Sequence, residues 1–205
     1  SFRWVLIRME SKKRCGIFGG SFNPIHNGHI AIGSDLLQTG FVDEIWFVVS
    51  PQNPFKQQCD LWDDELRFDL TTKALADHQR MKACDVEMHL PKPSYMWVTL
   101  EELSARHTEY QFVLLIGADN WQRVGRWYRS EDILSNYEIG IYPRPGYDID
   151  GNTLPENVHY LTTGLYDISS TEIRERLKKS QSVKGLVPPS IEKLLEKLNN
   201  IIMND

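Results

Sequence analysis

The chain has few of the features that mark whole classes of protein. It holds only Cys15, Cys59 and Cys84 among its 205 residues, with no Cys-x-x-Cys pair. An odd, widely spaced set excludes a full disulfide framework and argues against a zinc ribbon or thioredoxin-type site. Reduced thiols in a cytoplasmic protein are the plain expectation. No apolar run approaches the roughly 18 residues of a membrane span. Trp4-Val5-Leu6-Ile7 is too short for a signal-peptide core. Positive charge is not in excess either: 23 Lys and Arg against 28 Asp and Glu leave a net charge of −5. That balance speaks against a nucleic-acid coat or binding to an anionic membrane. Internal repeats and low-complexity stretches are absent, as are a Gly-x-Gly-x-x-Gly fingerprint and a Walker A loop.

What is present is strand–helix alternation. Residues 15–18 form a short apolar run stopped by glycines, and 44–49 and 111–116 are near-continuous apolar runs, as strands buried on both faces would read. Shorter strands are expected near 82–88, 137–142 and 158–161. Helices are expected over about 28–39, from 63 to about 76, 98–106, briefly from Asn120, and over 171–179 and 190–202. Leu66, Phe68, Leu70, Leu75 and Ala76 are the apolar positions of the second of these, and Gly40 sits where a helix C′ glycine belongs. The pattern predicts an α/β fold: a Rossmann-like open parallel sheet with helices on both faces. Residues 1–14 read as an N-terminal extension and 15–205 as a single domain. Ligands of such sheets bind beyond the carboxyl ends of the strands, so the chemistry is sought after Phe18, Val49, Ile116, Tyr142 and Leu161.

Those segments are chemically unusual. Gly19-Gly20-Ser21-Phe22-Asn23-Pro24-Ile25-His26-Asn27-Gly28-His29 links the first strand to the first helix. Glycines let backbone N–H groups approach an anion, and a helix start adds positive partial charge. His26 and His29, three apart, can share one face of a turn and donate to phosphate oxygens. A metal-binding pair and a plain capping turn are the competing readings. Ser169 and Glu172 have capping-box spacing, and Ser170, Thr171 and Arg174 add hydroxyls and a cation suited to polyphosphate. Asp119, after Gly117 at the end of the strongest strand, is either a ribose-binding acid or a helix N-cap. Trp121, Trp127 and Tyr128 lie among Arg123, Arg126 and Arg129, so a stacking platform competes with ordinary core packing. Lys56, in the loop Asn53-Pro54-Phe55-Lys56, is a lysine able to reach a phosphate.

Taken together, residues 16–29, Pro93-Ser94-Tyr95, Ile116 to Asp119, Arg126-Trp127-Tyr128, Arg144 to Tyr147 and Ile168 to Thr171 with Arg174 closely resemble the nucleotidylyltransferases. Within them the chain is similar to bacterial nicotinate-nucleotide adenylyltransferases, from Cys15 to about Leu198. The resemblance implies a nucleotidyltransferase-type fold and adenylyl transfer from ATP to nicotinate mononucleotide, giving nicotinate adenine dinucleotide and pyrophosphate, a step of NAD biosynthesis. It implies Mg²⁺ carried mainly by substrate phosphates, with no protein metal ligand. His26, His29 and Arg174 would be catalytic. Gly19, Gly20, Ser21, Phe22, Gly117, Asp119, Ser170 and Thr171 would bind ATP. Lys56, Met96, Trp127 and Tyr128 would serve the acceptor. Met96 departs from the threonine common after Pro-Ser-Tyr, which weakens the implied preference for nicotinate over nicotinamide. A nicotinamide-mononucleotide adenylyltransferase and a non-catalytic nucleotide-binding domain are the alternatives.

Overall fold

A computed structural model describes residues 12–55 and 58–202. Strand β1 (Lys13–Gly20), helix α1 (Asn27–Gln38), β2 (Glu44–Val49), α2 (Asp64–Leu75) and β3 (Met81–Cys84) form the first half. Then come α3 (Met96–Arg106), β4 (Tyr110–Gly117), α4 (Ala118–Trp121), α5 (Ser130–Asn136), β5 (Ile139–Tyr142), β6 (Val158–Tyr160), α6 (Ser170–Lys178) and α7 (Pro189–Ile202). All strand pairs are parallel, in the order β3-β2-β1-β4-β5-β6. The order reverses at β1, so the crevice between the ends of β1 and β4 is the topological switch point, where such sheets bind ligands.

The apolar runs are explained by burial on both faces. Along β2, Ile45, Phe47 and Val49 join a core with Phe18, Leu36, Leu70, Ile173 and Leu195, while Trp46 and Val48 join a second core with Ile17, Leu100, Leu114 and Ile133. Successive side chains point to opposite faces, so an uninterrupted apolar run is what a central strand requires.

Several boundaries differ from the expectation. β1 starts at Lys13, inside the expected extension, because Arg14 is tied down: its backbone N donates to Asp43 at 2.7 Å, its Nε donates to Phe41 O, and its guanidinium pairs with Glu138. Residues 1–11 lie outside the described part. β3 stops at Cys84, and Val86–His89 turn as a 3₁₀ helix instead of extending the strand. α3 begins at Met96 and α4 at Ala118, each two residues early, and β5 begins at Ile139. α5 occupies Ser130–Asn136, where no helix was expected. The buried stripe of α2 is Arg67, Leu70, Thr71, Ala74 and Leu75, while Leu66 and Phe68 are half-buried and Ala76 is exposed. Gly40 follows α1 at φ +77, the left-handed C′ geometry that favours glycine.

Candidate active site

The segment after β1 is a turn held by its own histidines. His26 is the N-cap of α1, and its Nδ1 accepts from Gly28 N at 3.0 Å and His29 N at 3.3 Å. His29, at N3, returns the bond: its Nδ1 accepts from His26 N at 3.1 Å. This is a capping box built from two imidazoles. A neutral imidazole that accepts at Nδ1 carries its proton on Nε2, so the geometry assigns both rings the same tautomer and leaves each an Nε2–H donor. The rings stack at 3.6 Å with planes 21° apart. Gly28 is what permits this: a methyl group there would lie 2.9 Å from His26 Cε1 and 3.0 Å from its Nδ1. The capping reading and the anion-site reading are therefore compatible.

Burial keeps both rings neutral. The His26 pKa falls from 6.5 to about 4, first through desolvation and then through the nearby Arg144 cation. His29 is held well below its ordinary value by desolvation, by His26 and by Arg144. Phe22 packs edge-on against His29 at 5.0 Å and is itself buried, with φ at +44. A bulky residue there stores backbone strain, of order 1–3 kcal/mol. Packing of Phe22 on His29 and the bond from Arg67 to Ser21 O hold it in that conformation.

Two further elements hold the turn. From α6, Ser170 Oγ donates to Pro24 O at 2.8 Å, and Arg174 donates to Asn23 O at 2.8 Å and to Thr171 Oγ1 at 3.3 Å. Thus Ser170 and Arg174 bond to the first loop and brace it, with Thr171 joined through Arg174. The capping box expected at α6 is only half made. Ser169 Oγ accepts from Glu172 N, but the Glu172 carboxylate pairs with Arg176. From α2, the fully buried Arg67 donates to Ser21 O at 2.6 Å, Ser50 O and Trp62 O at 2.8 Å each, and Asp64 at 2.5 Å. The Asn23 amide adds a clamp, donating to Asp60 O at 2.8 Å and accepting from Trp62 N at 3.0 Å.

At the end of β4, Gly117 is the N-cap of α4 and Asp119 lies within its first turn, so the N-cap alternative for Asp119 is corrected. Asp119 instead faces Arg144, 3.9 Å away across the β5 loop. A methyl group on Gly117 would lie 2.5 Å from Asp119 Oδ1 and 3.0 Å from Arg144 Cγ. Bare backbone at Gly117 therefore leaves room for the acid and the guanidinium to meet.

On the other side of β1 a cavity of about 710 Å³ is lined by Ser50, Asn53, Glu87, Ser94, Met96 and Trp127, among others including Tyr128. The Met96 methyl reaches the phosphate-loop strand: a Cβ on Gly19 would lie 3.3 Å from Met96 Cε. Tyr128 is exposed and tilts against Tyr95 at 4.8 Å. Trp121 packs on the core, and Arg129 is committed to Asp132 and to the face of Trp97. Trp127 packs on the same core and also lines the cavity, with Arg126 and Tyr128 beside it. Lys56 lies outside the described residues. Arg67 and Glu87 were not singled out from the sequence, and Arg144 entered only within a segment of the family resemblance, with no role assigned. Arg67 left a trace as a cation at a stripe position of α2.

A cytidylyltransferase-like family profile matches residues 17–176. A relative in Bacteroides fragilis, named a probable nicotinate-nucleotide adenylyltransferase, is 45% identical over 183 residues, covering 89% of this chain and 91% of that protein. One of the same name in Porphyromonas gingivalis is 38% identical over 174 residues, covering 84% and 88%. Among solved structures, Plasmodium falciparum nicotinic acid mononucleotide adenylyltransferase complexed with NaAD superposes with a TM-score of 0.72 at 22% identity, over 94% of this chain and 96% of that one. That last likeness is one of fold.

Proposed function

Because the chain belongs to the cytidylyltransferase-like family, among its nicotinate-nucleotide adenylyltransferases, we propose that it transfers the adenylyl group of ATP to nicotinate mononucleotide, releasing pyrophosphate. A phosphate oxygen of the mononucleotide bonds to the α-phosphorus of ATP, and the bond from that phosphorus to the bridging β-phosphate oxygen breaks. The attacking phosphate is already an anion, so no protein base is needed. The protein's task is to hold two anions together and stabilise developing charge.

The observation that carries this reading is the imidazole pair, whose Nε2–H groups donate to no acceptor among the described residues. Neutral donors in a desolvated turn are suited to phosphoryl oxygens. Arg174 from α6 and Arg144 from the segment after β5 supply charge, and Ser170 and Thr171 supply hydroxyls at the start of α6. Gly117 and Asp119 are suited to the ATP sugar. The cavity beyond Met96 is suited to the acceptor, with Trp127 as the ring partner, Tyr128 beside it and Lys56 assigned to its phosphate. The donor set around the turn offers imidazoles, guanidinium and backbone N–H groups, with few metal-ligating oxygens. Mg²⁺ would therefore be carried by the ATP phosphates and its waters, where it would neutralise charge on the pyrophosphate leaving group. No helix among the described residues is long and apolar enough to cross a membrane, and Cys15, Cys59 and Cys84 are free thiols, in keeping with a cytoplasmic setting.

The test is pyrophosphate release with ATP, Mg²⁺ and either nicotinate or nicotinamide mononucleotide. The acid should give the higher kcat/KM. No dinucleotide with either acceptor would overturn the reading.

A further inference from the structure

Glu87 is an acid where the cavity wall has no evident use for one. It is 3% exposed, in the 3₁₀ turn after β3, and it lines the same cavity as Met96 and Trp127. Its Oε2 accepts from Thr99 Oγ1 at 2.8 Å, and that hydroxyl also lies 3.2 Å from Tyr95 O. Tyr95 is the N-cap of α3 and makes no side-chain cap. The first-turn N–H groups of α3 are therefore held in place by whatever fixes the turn from behind. Thr99 bonded only to Tyr95 O would be the common back-bond that bends a helix. Here the hydroxyl is shared between the Glu87 carboxyl and Tyr95 O, which links the 3₁₀ turn to the start of α3. Desolvation raises the Glu87 pKa, while the hydroxyls of Thr99, Ser50 and Ser94 draw it back. Ser94 Oγ, enclosed beside it, has no hydrogen-bond partner of good geometry among the described residues. A buried carboxyl with its polar neighbours is expensive to keep, and an apolar residue would fill the space without that cost.

We propose that Glu87 is a positioning residue for acceptor specificity: through Thr99 it sets the Tyr95–Met96 turn on the cavity wall, making the uncapped first-turn N–H groups of α3 available to the acceptor's ring substituent. This rests on the function proposed above. Charge-assisted hydrogen bonds depend closely on donor placement, so a carboxylate acceptor loses more than its amide when the turn loosens. Removing the link by Glu87→Ala or Thr99→Val should raise KM for nicotinate mononucleotide roughly 10-fold and lower the acid-to-amide ratio of kcat/KM about 5-fold. KM for ATP should shift less than the acceptor's: Met96 reaches Gly19, but Glu87 and Thr99 are hydrogen-bonded, among the described residues, to no residue assigned to ATP. Glu87→Gln keeps an oxygen for Thr99 and should restore both acceptor parameters. A residue that only fills space would change the melting temperature and leave the ratio alone. Should Glu87→Ala fail to fold, Thr99→Val carries the comparison. An unchanged ratio in a folded variant, or equal shifts in both KM values, overturns the inference while wild-type turnover stands. A wild type without turnover on either acceptor overturns the proposed function itself and this inference with it.

Discussion

The two histidines should make the protein lose stability in mild acid, by an amount the site predicts. His26 is 5% exposed and its pKa falls from 6.5 to about 4 in the fold. The unfolded chain therefore takes up the proton more readily than the folded one between those values. Stability then rises with pH across the window from 4 to 6.5 and is flat above it. Integrating for His26 alone gives a loss of about 2 kcal/mol at pH 5 and about 3 kcal/mol below pH 4, relative to neutral pH. His29 is also held well below its ordinary value and adds in the same direction. Glu87, raised by burial, works oppositely, so the comparison must be with a variant lacking only the imidazoles. His26→Asn with His29→Gln keeps an N-cap acceptor and an N3 side chain able to close the box. Urea unfolding at pH 7.5 and pH 5 should show the wild type losing about 2 kcal/mol or more beyond what the variant loses. Equal losses in the two proteins would refute the assignment of both rings as buried and neutral.

His29→Ala should lower kcat by about 10²–10³-fold, the usual cost of losing one transition-state donor, which single-turnover kinetics would measure. Gly28→Ala should cost activity although alanine is the better helix former by about 1 kcal/mol, because the added methyl displaces the His26 ring; losing that N-cap costs about as much as the propensity gains, so kcat falling with the melting temperature unchanged or lower is the expected pair. Arg67→Met should destabilise by about 3–5 kcal/mol, the cost of breaking a buried ion pair and orphaning its partners, read from denaturant unfolding. Met96→Thr should raise the acid-to-amide ratio of kcat/KM about 10-fold by adding a hydroxyl donor for a charged acceptor, measured with the two mononucleotides side by side.

The architecture was legible wherever a strand is buried on both faces. β1, β2 and β4 announce themselves because side chains on alternate faces both meet a core. α5 left no signal: it is seven residues long and its N-cap is Arg129 at φ +54 with no capping side chain. The 3₁₀ turn at Val86–His89 reads as strand because Val86 and Met88 alternate with polar residues. The imidazole turn was legible because its hydrogen bonds are local, between residues two and three apart. Arg67, Glu87 and Arg144 were not. Their partners come from distant segments, such as Ser21 for Arg67 and Asp119 for Arg144, and no local pattern encodes those meetings. Within α2 the error was specific, since half-buried Leu66 and Phe68 were read as the core stripe while Arg67 occupied it.

The bonds from Ser170 and Arg174 to Pro24 and Asn23 span 146 and 151 residues. Such closures are slow to form, because the chain between them must be ordered first. During synthesis the phosphate turn leaves the ribosome early, and its brace arrives only after every strand of the sheet has been made. A nascent or truncated chain that ends before α6 can contain the whole histidine motif and still lack the structure that aims it. The final geometry of the turn is therefore a late event in the chain's own folding.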